Sequence, residues 1–279
     1  MSKLTETYEL SNGVKIPKIG FGTWQVPNGQ VAYDAVAEAL SQGYRHIDTA
    51  WQYGNEESVG RAIRDSGLNR EDVFVTSKLA AAAKSYDAAM KTFDETMDRI
   101  GLDYLDLYLI HAPWPWDEMG ADYSTQNIEV WQAMEDIYKT GKVRAIGISN
   151  FNVADQKNIL KHATIMPMVN QIQYYIGYTE PDITAYAQEH NMFVEAFSPL
   201  ATGYLLNNEA VKTIAAHYDV SVAQLAIRYV LQHGLLPLPK ATNSAHIENN
   251  KQVEFEITVA DMDVLDELKD TAPDEDHNG

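Results

Sequence analysis

The sequence contains no cysteine and no apolar run that approaches the roughly 18 residues of a transmembrane helix. The missing cysteines exclude disulfides, thiolate nucleophiles and cysteine-ligated metal sites. The N-terminus also lacks the apolar core of a signal peptide. We therefore expect a cytoplasmic protein.

Basic residues are scarce, because 21 Lys and Arg stand against 40 Asp and Glu and give a formal net charge of −19. Such a charge repels the nucleic-acid backbone and anionic membranes, so we expect neither as a partner. It also repels an anionic cofactor at long range, so any phosphate site has to be built from local donors. We expect a monomer that acts on small molecules.

Short β-rich runs alternate with helical patterns along the 279 residues, of which 45% are hydrophobic. The predicted strands cover residues 19–23, 44–49, 73–77, 105–110, 145–149, 168–172, 192–197 and 235–239. Amphipathic segments predict helices at 31–42, 56–66, 86–100, 128–139 and 153–162. Eight such units favour a parallel sheet closed into a (β/α)8 TIM barrel. No linker or charge block divides residues 1–279, so we predict one domain.

Some segments add to this repeat. Residues 8–16 carry an Asn-Gly pair between strand-like flanks, which predicts a β-hairpin that closes the N-terminal end of the barrel. Residues 207–233 contain two helical stretches before the eighth strand, so one is an extra helix. Capping-box spacings at 152–155 and 221–224 mark two helix starts. The four alanines at 80–83 are compatible with a natural helix start or with an engineered surface segment.

Polar residues follow most of the predicted strands, at the edge where barrel enzymes carry their active sites. They are Asp48, Lys78, His111, Ser149, Asn150, Gln171, Ser198 and Lys240. A single aspartate or histidine at a strand end is as often a helix cap or loop partner as a catalytic group. Such groups at seven strand ends, converging on one rim, predict a functional site there.

Asp48, Lys78, His111 and nearby Tyr53 offer an acid, an ammonium, an imidazole and a phenol. The pKa of a phenol, about 10, is too high for an efficient general acid near neutrality, and an adjacent ammonium lowers it. Asp48 would keep Lys78 charged, because an unpaired buried ammonium is costly. A neutral His111 could donate a ring N–H to a carbonyl oxygen. The set suits protonation of a carbonyl oxygen while hydride reaches the carbon.

Other chemistries have weaker signals. Gly20-Phe21-Gly22 lacks the third glycine and the following helix of a dinucleotide fingerprint. No ligand spacing typical of zinc occurs, so we expect no metal. The adjacent acids Glu56 and Glu57 are more typical of a helix start than of a glycosidase.

Six segments carry specific motifs, and together they extend over nearly the whole chain. They are GYRHIDTA at 43–50, YGNEESVG at 53–60, LDLYLIHAP at 105–113, GKVRAIGISNF at 141–151, EAFSPL at 195–200 and LPK at 238–240. This combination resembles the aldo-keto reductase family, and the compact length is most similar to the bacterial branch that contains 2,5-diketo-gluconate reductases. The resemblance implies NAD(P)H-dependent reduction of aldehydes and ketones to alcohols.

The resemblance also implies a catalytic tetrad. Tyr53 would be the general acid, and Lys78 would modulate its pKa. Asp48 would pair with Lys78, and His111 would orient the carbonyl group.

The implied cofactor is NADPH, with NADH possible, bound across the rim without a Rossmann domain. Ser149, Asn150 and Gln171 would hold the carboxamide, Phe197 would stack on the nicotinamide, and Lys240 would meet the 2′-phosphate. The full set expected to bind the cofactor is Gly22, Thr23, Ser149, Asn150, Gln171, Phe197, Ser198, Leu200, Lys240, Ala241, Asn243, His246 and Asn250.

Four positions depart from the family pattern. Ala80 and Ala112 stand where many relatives have tryptophan, which predicts tolerance of branched or aromatic ketones. The alternative is that one of the tryptophans near the predicted strand ends fills the space; these are Trp24, Trp51, Trp114 and Trp116. His246 stands in the place of a phosphate-binding arginine and Ala241 in that of a serine, which predicts only a modest preference for NADPH. The residues expected to contact the substrate are Trp24, Trp51, Ala112 and Trp114.

Two alternatives to this enzyme remain. The same fold also serves as a regulatory or structural barrel, so the chain could bind NADPH and be catalytically silent, although its intact tetrad argues against that. A non-redox barrel enzyme, such as a hydrolase, is the third reading.

Overall fold

The computed structural model describes residues 3–273, in which an eight-stranded parallel sheet follows a two-stranded antiparallel one. The strands are β1 (Thr7–Glu9), β2 (Lys15–Pro17), β3 (Phe21–Gly22), β4 (His46–Asp48), β5 (Phe74–Leu79), β6 (Leu107–Ile110), β7 (Ile146–Ser149), β8 (Val169–Gln173), β9 (Phe193–Phe197) and β10 (Leu236–Leu238). The helices are α1 (Gln30–Ser41), α2 (Glu56–Asp65), α3 (Tyr86–Ile100), α4 (Ser124–Lys139), α5 (Val153–His162), α6 (Pro181–Glu189), α7 (Glu209–His217), α8 (Val222–Gln232), α9 (Ser244–Asn250) and α10 (Val259–Glu267). Strands β3 to β10 pair in chain order, as successive β-α units require.

The sheet closes into a barrel between β3 and β10. The backbone N–H groups of Gly20 and Gly22 donate to the carbonyl oxygens of Pro237 and Pro239, at 3.1 and 3.0 Å. A Cβ atom at Gly22 would lie 3.2 Å from the carbonyl oxygen of Leu238, and one at Gly20 would lie 2.4 Å from the Leu238 side chain. The absence of a side chain at both positions therefore lets these two segments approach each other closely. The predicted (β/α)8 fold is confirmed.

The β1–β2 hairpin lies across the N-terminal end of the barrel. The hydroxyl of Tyr8 donates to the carbonyl oxygen of Leu235 at 3.4 Å, and its ring lies 4.7 Å from that of Phe193. The amide of Asn12 donates to the carbonyl oxygen of Arg144 at 2.9 Å. These three partners begin or directly precede barrel strands, so the hairpin covers the end opposite the predicted site.

Side-chain caps mark two helix starts that the sequence predicts. Asn152 and Ser221 form the predicted capping boxes of α5 and α8. Helix α4 begins at Ser124, earlier than predicted, and its N-cap Tyr123 makes no side-chain cap that could mark the start. Helices α6 and α10 each bury a single residue among those described, so neither has a strong amphipathic pattern.

The helix-start interpretation of the alanine run is wrong. The N–H of Ala83 donates to the carbonyl oxygen of Ala80 at 2.9 Å in a turn, and α3 begins only at Tyr86, capped by Ser85. Ala80, Ala81 and Ala83 are buried and Ala82 is exposed, so most of the run packs inside the protein, and an engineered origin stays a hypothesis. Small side chains let this turn after β5 pack into the protein.

Apolar side chains fill the barrel and the layer between strands and helices. Strands β5 to β8 are buried at every position, as expected of strands that are covered on both faces. Lys78 is among the largest fully buried side chains, and its charge therefore needs partners inside the protein. In the part of the chain that the structure describes, no helix is long and apolar enough to cross a membrane.

Candidate active site

A cavity of about 930 Å³ opens where the barrel strands end, and residues in or directly after seven of the eight barrel strands line it. The sequence-predicted site residues on its wall are Gly22, Trp24, Asp48, Tyr53, His111, Ser149, Asn150, Gln171, Phe197, Ser198, Leu200, Lys240, His246 and Asn250. Parallel strands bring these residues together because all of their carboxyl ends meet at one rim.

Lys78, at the C-terminal part of β5, connects the tetrad beneath this wall. Its Nζ donates to Asp48 Oδ1 at 2.6 Å, to the carbonyl oxygen of Thr49 at 3.0 Å and to Tyr53 Oη at 3.3 Å. An ammonium has three N–H donors, and each has an acceptor here. The charge of Lys78 is thus compensated and its direction towards Tyr53 is fixed.

Tyr53 and Lys78 both keep their protons near neutrality. Burial raises the pKa of Tyr53 above its ordinary value of 10.0, while the Lys78 ammonium opposes that rise. Burial lowers the pKa of Lys78, but the negative charge of Asp48 and the Tyr53 hydroxyl outweigh it and raise the pKa overall. The expectation that Lys78 lowers the pKa of Tyr53 holds for its own effect but not for the net direction. Desolvation is larger, and Asp48 offsets part of the ammonium's field.

His111 lies against the same hydroxyl-bearing ring. Its imidazole meets the ring of Tyr53 edge-on at 5.6 Å and that of Trp116 at 5.3 Å. Burial, aided by the nearby Lys78 charge, lowers the pKa of His111 well below 6.5, so the ring is neutral. A neutral imidazole keeps one N–H donor, which is the form that can orient a carbonyl oxygen.

The side-chain amides of Asn150 and Gln171, which lie on the cavity wall, donate both of their N–H groups to other protein atoms. The amide nitrogen of Gln171 donates to Asp48 Oδ2 at 2.9 Å and to Glu195 Oε2 at 2.8 Å. That of Asn150 donates to the carbonyl oxygen of His111 at 2.8 Å and to Ser149 Oγ at 3.0 Å. Since an amide has two N–H donors, both of which are used here, the amide oxygen of each residue is the atom that can accept from a ligand, and neither oxygen accepts a hydrogen bond within residues 3–273. A carboxamide NH₂ group fits this arrangement.

The cavity also has a basic group, formed by Lys212, Lys240 and His246. Lys240 and His246 are exposed, and neither side chain makes an ion pair within residues 3–273. Lys212 differs, because its Nζ lies 2.8 Å from Glu209 Oε1. The basic group therefore offers cationic donors suited to phosphate in a molecule that is acidic overall.

Besides Lys78, which lies beneath the wall, six predicted site residues do not line the cavity. Thr23 is buried and donates to the backbone of β4, Ala241 packs in the core, and Asn243 caps α9. The remaining three, which the sequence assigns to substrate contact, are Trp51, Ala112 and Trp114.

Contacts with neighbouring residues explain why these three side chains do not line the cavity. Trp51 is held away from the cavity wall by its hydrogen bond to Glu95 at 3.0 Å. Ala112 is fully buried, and Lys84 donates to its carbonyl oxygen at 2.8 Å. The ring of Trp114 packs edge-on against Trp116 at 5.3 Å. Trp116 itself lines the cavity, so an aromatic wall exists although Ala112 is small.

Several lining residues are absent from the sequence prediction. They include Gln25, Gln52, Pro199, Thr202, Gly203, Leu206, Lys212, Ser221 and Asn249. Gln52 directly precedes Tyr53 in sequence, which is a signal that could have found it. The others belong to loops and helix starts whose approach to the rim depends on packing.

Comparison with known proteins identifies relatives along the whole chain. The family model described as "Aldo/keto reductase family" matches residues 18–270. Glyoxal reductase of Bacillus subtilis (strain 168) is 41% identical over 268 residues, which cover 96% of this chain and 94% of that protein.

Solved structures give the same result. The crystal structure of an aldo/keto reductase from Brucella melitensis matches with a TM-score of 0.89 at 37% identity, covering 96% of this chain and 99% of that one. A Bombyx mori aldo-keto reductase in complex with NADP matches with a TM-score of 0.86 at 31% identity, covering 96% and 94%.

Proposed function

Because the chain belongs to the aldo/keto reductase family, we propose that it reduces uncharged aldehydes and ketones with NADPH, accepts NADH less well, and uses Tyr53 as the proton donor. It is an oxidoreductase that acts on carbonyl groups. The observation that carries the proposed mechanism is the buried Asp48–Lys78–Tyr53 chain beside a neutral His111.

The four tetrad residues have separate tasks in this proposal. The substrate's carbonyl oxygen accepts a hydrogen bond from His111, which orients it next to the Tyr53 hydroxyl. Tyr53 gives its proton to that oxygen, and Lys78 stabilises the phenolate that remains. Asp48 keeps Lys78 charged and aimed at Tyr53. When bound, the nicotinamide supplies the hydride to the carbonyl carbon, so that proton and hydride together give the alcohol.

The residues on the cavity wall support a nicotinamide dinucleotide. The amide oxygens of Asn150 and Gln171 suit the carboxamide NH₂, and Phe197 offers an aromatic surface for the ring. Lys240 suits the 2′-phosphate of NADPH, with His246 as a weaker partner. NADP in the Bombyx mori relative is consistent with this choice.

The charge distribution favours uncharged substrates. Trp24, Gln52 and Trp116 line the cavity next to the tetrad, whereas the lysines on its wall are Lys212 and Lys240. In the closed ring of eight strands, β6, which leads to Trp116, lies opposite β10, which leads to Lys240. A substrate carboxylate near Trp116 would lose water without gaining a cation. The name of the Bacillus subtilis relative, glyoxal reductase, points to an uncharged dicarbonyl.

A matched pair of substrates tests the proposal. We expect NADPH binding, seen as a change in its fluorescence, and NADPH oxidation with benzaldehyde at a higher kcat/KM than with 4-carboxybenzaldehyde. Binding without turnover of any carbonyl would instead support the silent barrel. A preference for the carboxylated aldehyde would support the resemblance to 2,5-diketo-gluconate reductases, whose substrate is an acid. A cytoplasmic monomer stays a prediction, which cell fractionation and light scattering can check.

A further inference from the structure

Glu195 is a fully buried carboxyl group that the tetrad mechanism does not use. It lies in the middle of β9 between Val194 and Ala196, and its side chain has no exposed surface. Its Oε2 accepts the hydrogen bond from Gln171, and its Oε1 has no hydrogen-bond partner within residues 3–273. The nearest histidine nitrogen, Nε2 of His46, lies 3.8 Å from Oε1.

Such a group is costly for the fold. A buried polar atom without a hydrogen-bond partner loses its hydration and gains nothing in return. Methionine would occupy a similar volume at position 195 without that cost. A stabilising role therefore does not account for Glu195, and perturbed buried acids next to a site are candidates for a functional role.

Gln171 connects Glu195 to the tetrad. Its amide nitrogen bonds simultaneously to Glu195 and Asp48, and Asp48 in turn accepts from Lys78. Removing the acceptor at position 195 would free one N–H of Gln171, and the amide could then rotate. Rotation would turn its oxygen away from the cavity or weaken its bond to Asp48.

We propose that Glu195 is a positioning residue, which accepts a hydrogen bond from Gln171 and thereby sets the amide oxygen towards the cofactor carboxamide and the amide nitrogen towards Asp48. This inference rests on the proposed function, because it assigns Gln171 to the nicotinamide. Glu195 itself touches neither cofactor nor substrate.

The ionisable groups around Glu195 make this role dependent on pH. They are His46 and Asp48 from β4 and Lys78 from β5. Burial, with the Asp48 carboxylate nearby, raises the pKa of Glu195 to about 8, and burial lowers the pKa of His46 to about 3. Near neutrality Glu195 and His46 are therefore uncharged, and the ionised pair Asp48–Lys78 is left undisturbed.

Above pH 8 a second negative charge appears on the far side of Gln171 from Asp48. The two carboxylates, which both accept from Gln171, then repel each other. We expect the rate of carbonyl reduction to fall several-fold as pH rises through about 8. Tyr53 does not cause this fall, because its pKa is raised above 10.0.

Two substitutions test the proposal. Glu195→Gln keeps an acceptor for Gln171 but cannot ionise, so it should bind NADPH like the wild type and lose the fall in kcat near pH 8. Glu195→Met removes the acceptor, so the NADPH dissociation constant should rise about tenfold, as for one lost hydrogen bond, and kcat should fall. Its melting temperature should be unchanged or higher.

Glu135→Met is the matched control. Glu135 is also a buried acid, but it accepts from the backbone N–H groups of Thr164 and Ile165 at the end of α5. The Glu135→Met substitution should lower the melting temperature and leave NADPH affinity unchanged. Equal NADPH affinity in wild type and Glu195→Met would overturn the proposal, as would an unaltered pH profile in Glu195→Gln if the Met variant does not fold. Wild-type protein that binds NADPH but reduces no carbonyl would reject the proposed function instead.

Discussion

The tetrad and the basic group present charge to the same cavity in different ways. Lys78 is fully buried, and its three N–H donors are all taken by protein acceptors. Lys240 and His246 are exposed, and neither side chain forms an ion pair with residues 3–273. The tetrad is therefore organised before any ligand arrives, whereas Lys240 and His246 find an anionic partner only when one binds.

This difference has energetic consequences. Charges inside the barrel interact strongly because little solvent screens them, so changing one partner affects all the others. The exposed charges of the basic group are screened by water and salt, so their effects are smaller and more nearly independent. We expect catalysis to be sensitive to single changes and cofactor preference to be adjustable.

Tyr53→Phe should cause the largest loss of activity among changes to the buried tetrad. It removes the hydroxyl that accepts a hydrogen bond from Lys78, so carbonyl reduction should fall by about 10²- to 10⁴-fold, as general acid catalysis predicts. NADPH affinity and melting temperature should change little, which serves as the control. Steady-state kinetics with an uncharged aldehyde measures the effect. Near-wild-type turnover would exclude Tyr53 as the proton donor.

Lys240→Met tests the role of the exposed basic group. If Lys240 meets the 2′-phosphate, the kcat/KM for NADPH should fall about tenfold or more, the value expected for a lost charge-assisted hydrogen bond, while that for NADH stays constant. Lys212→Met is the control, because Lys212 is already paired with Glu209 and should matter less. The opposite order of effects would assign the phosphate to Lys212.

His246→Arg should increase the preference for NADPH over NADH that Lys240 provides. A histidine carries only part of a charge near neutrality, whereas arginine is always charged and can bind phosphate through two N–H groups. The NADPH-to-NADH ratio of kcat/KM should rise by roughly threefold to tenfold. Steady-state kinetics with both cofactors measures this ratio. A ratio equal to that of the wild type would contradict the role of His246.

Trp116→Ala addresses the substrate wall next to the tetrad. Removing this ring should favour bulky ketones over small aldehydes by a few-fold in relative kcat/KM, because one aromatic contact contributes only about 0.5–1.5 kcal/mol beyond its buried area. Trp114→Ala is the matched control, since Trp114 does not line the cavity. If the Trp114 variant changes the ratio more, the aromatic wall lies elsewhere.

Much of the site could be predicted because it is carried by strand ends. Asp48, Lys78 and His111 each end or follow a strand, and a closed parallel barrel brings all such positions to one rim. The sequence motifs alone therefore predict that these side chains meet, without any knowledge of loop structure. The substrate wall is different, because Ala112 and Trp116 lie in the same loop and only packing decides which of them faces the cavity.

The sequence by itself determined the local features of this protein: the alternation of strands and helices, the capping boxes of α5 and α8, and the hairpin turn. These depend on neighbours within a few residues, so a linear pattern contains them. Tertiary structure alone decided that Glu195 meets Gln171, because their contact follows from the pairing of β8 with β9. It also decided the net pKa of Tyr53, since desolvation depends on everything that surrounds the phenol and not only on Lys78.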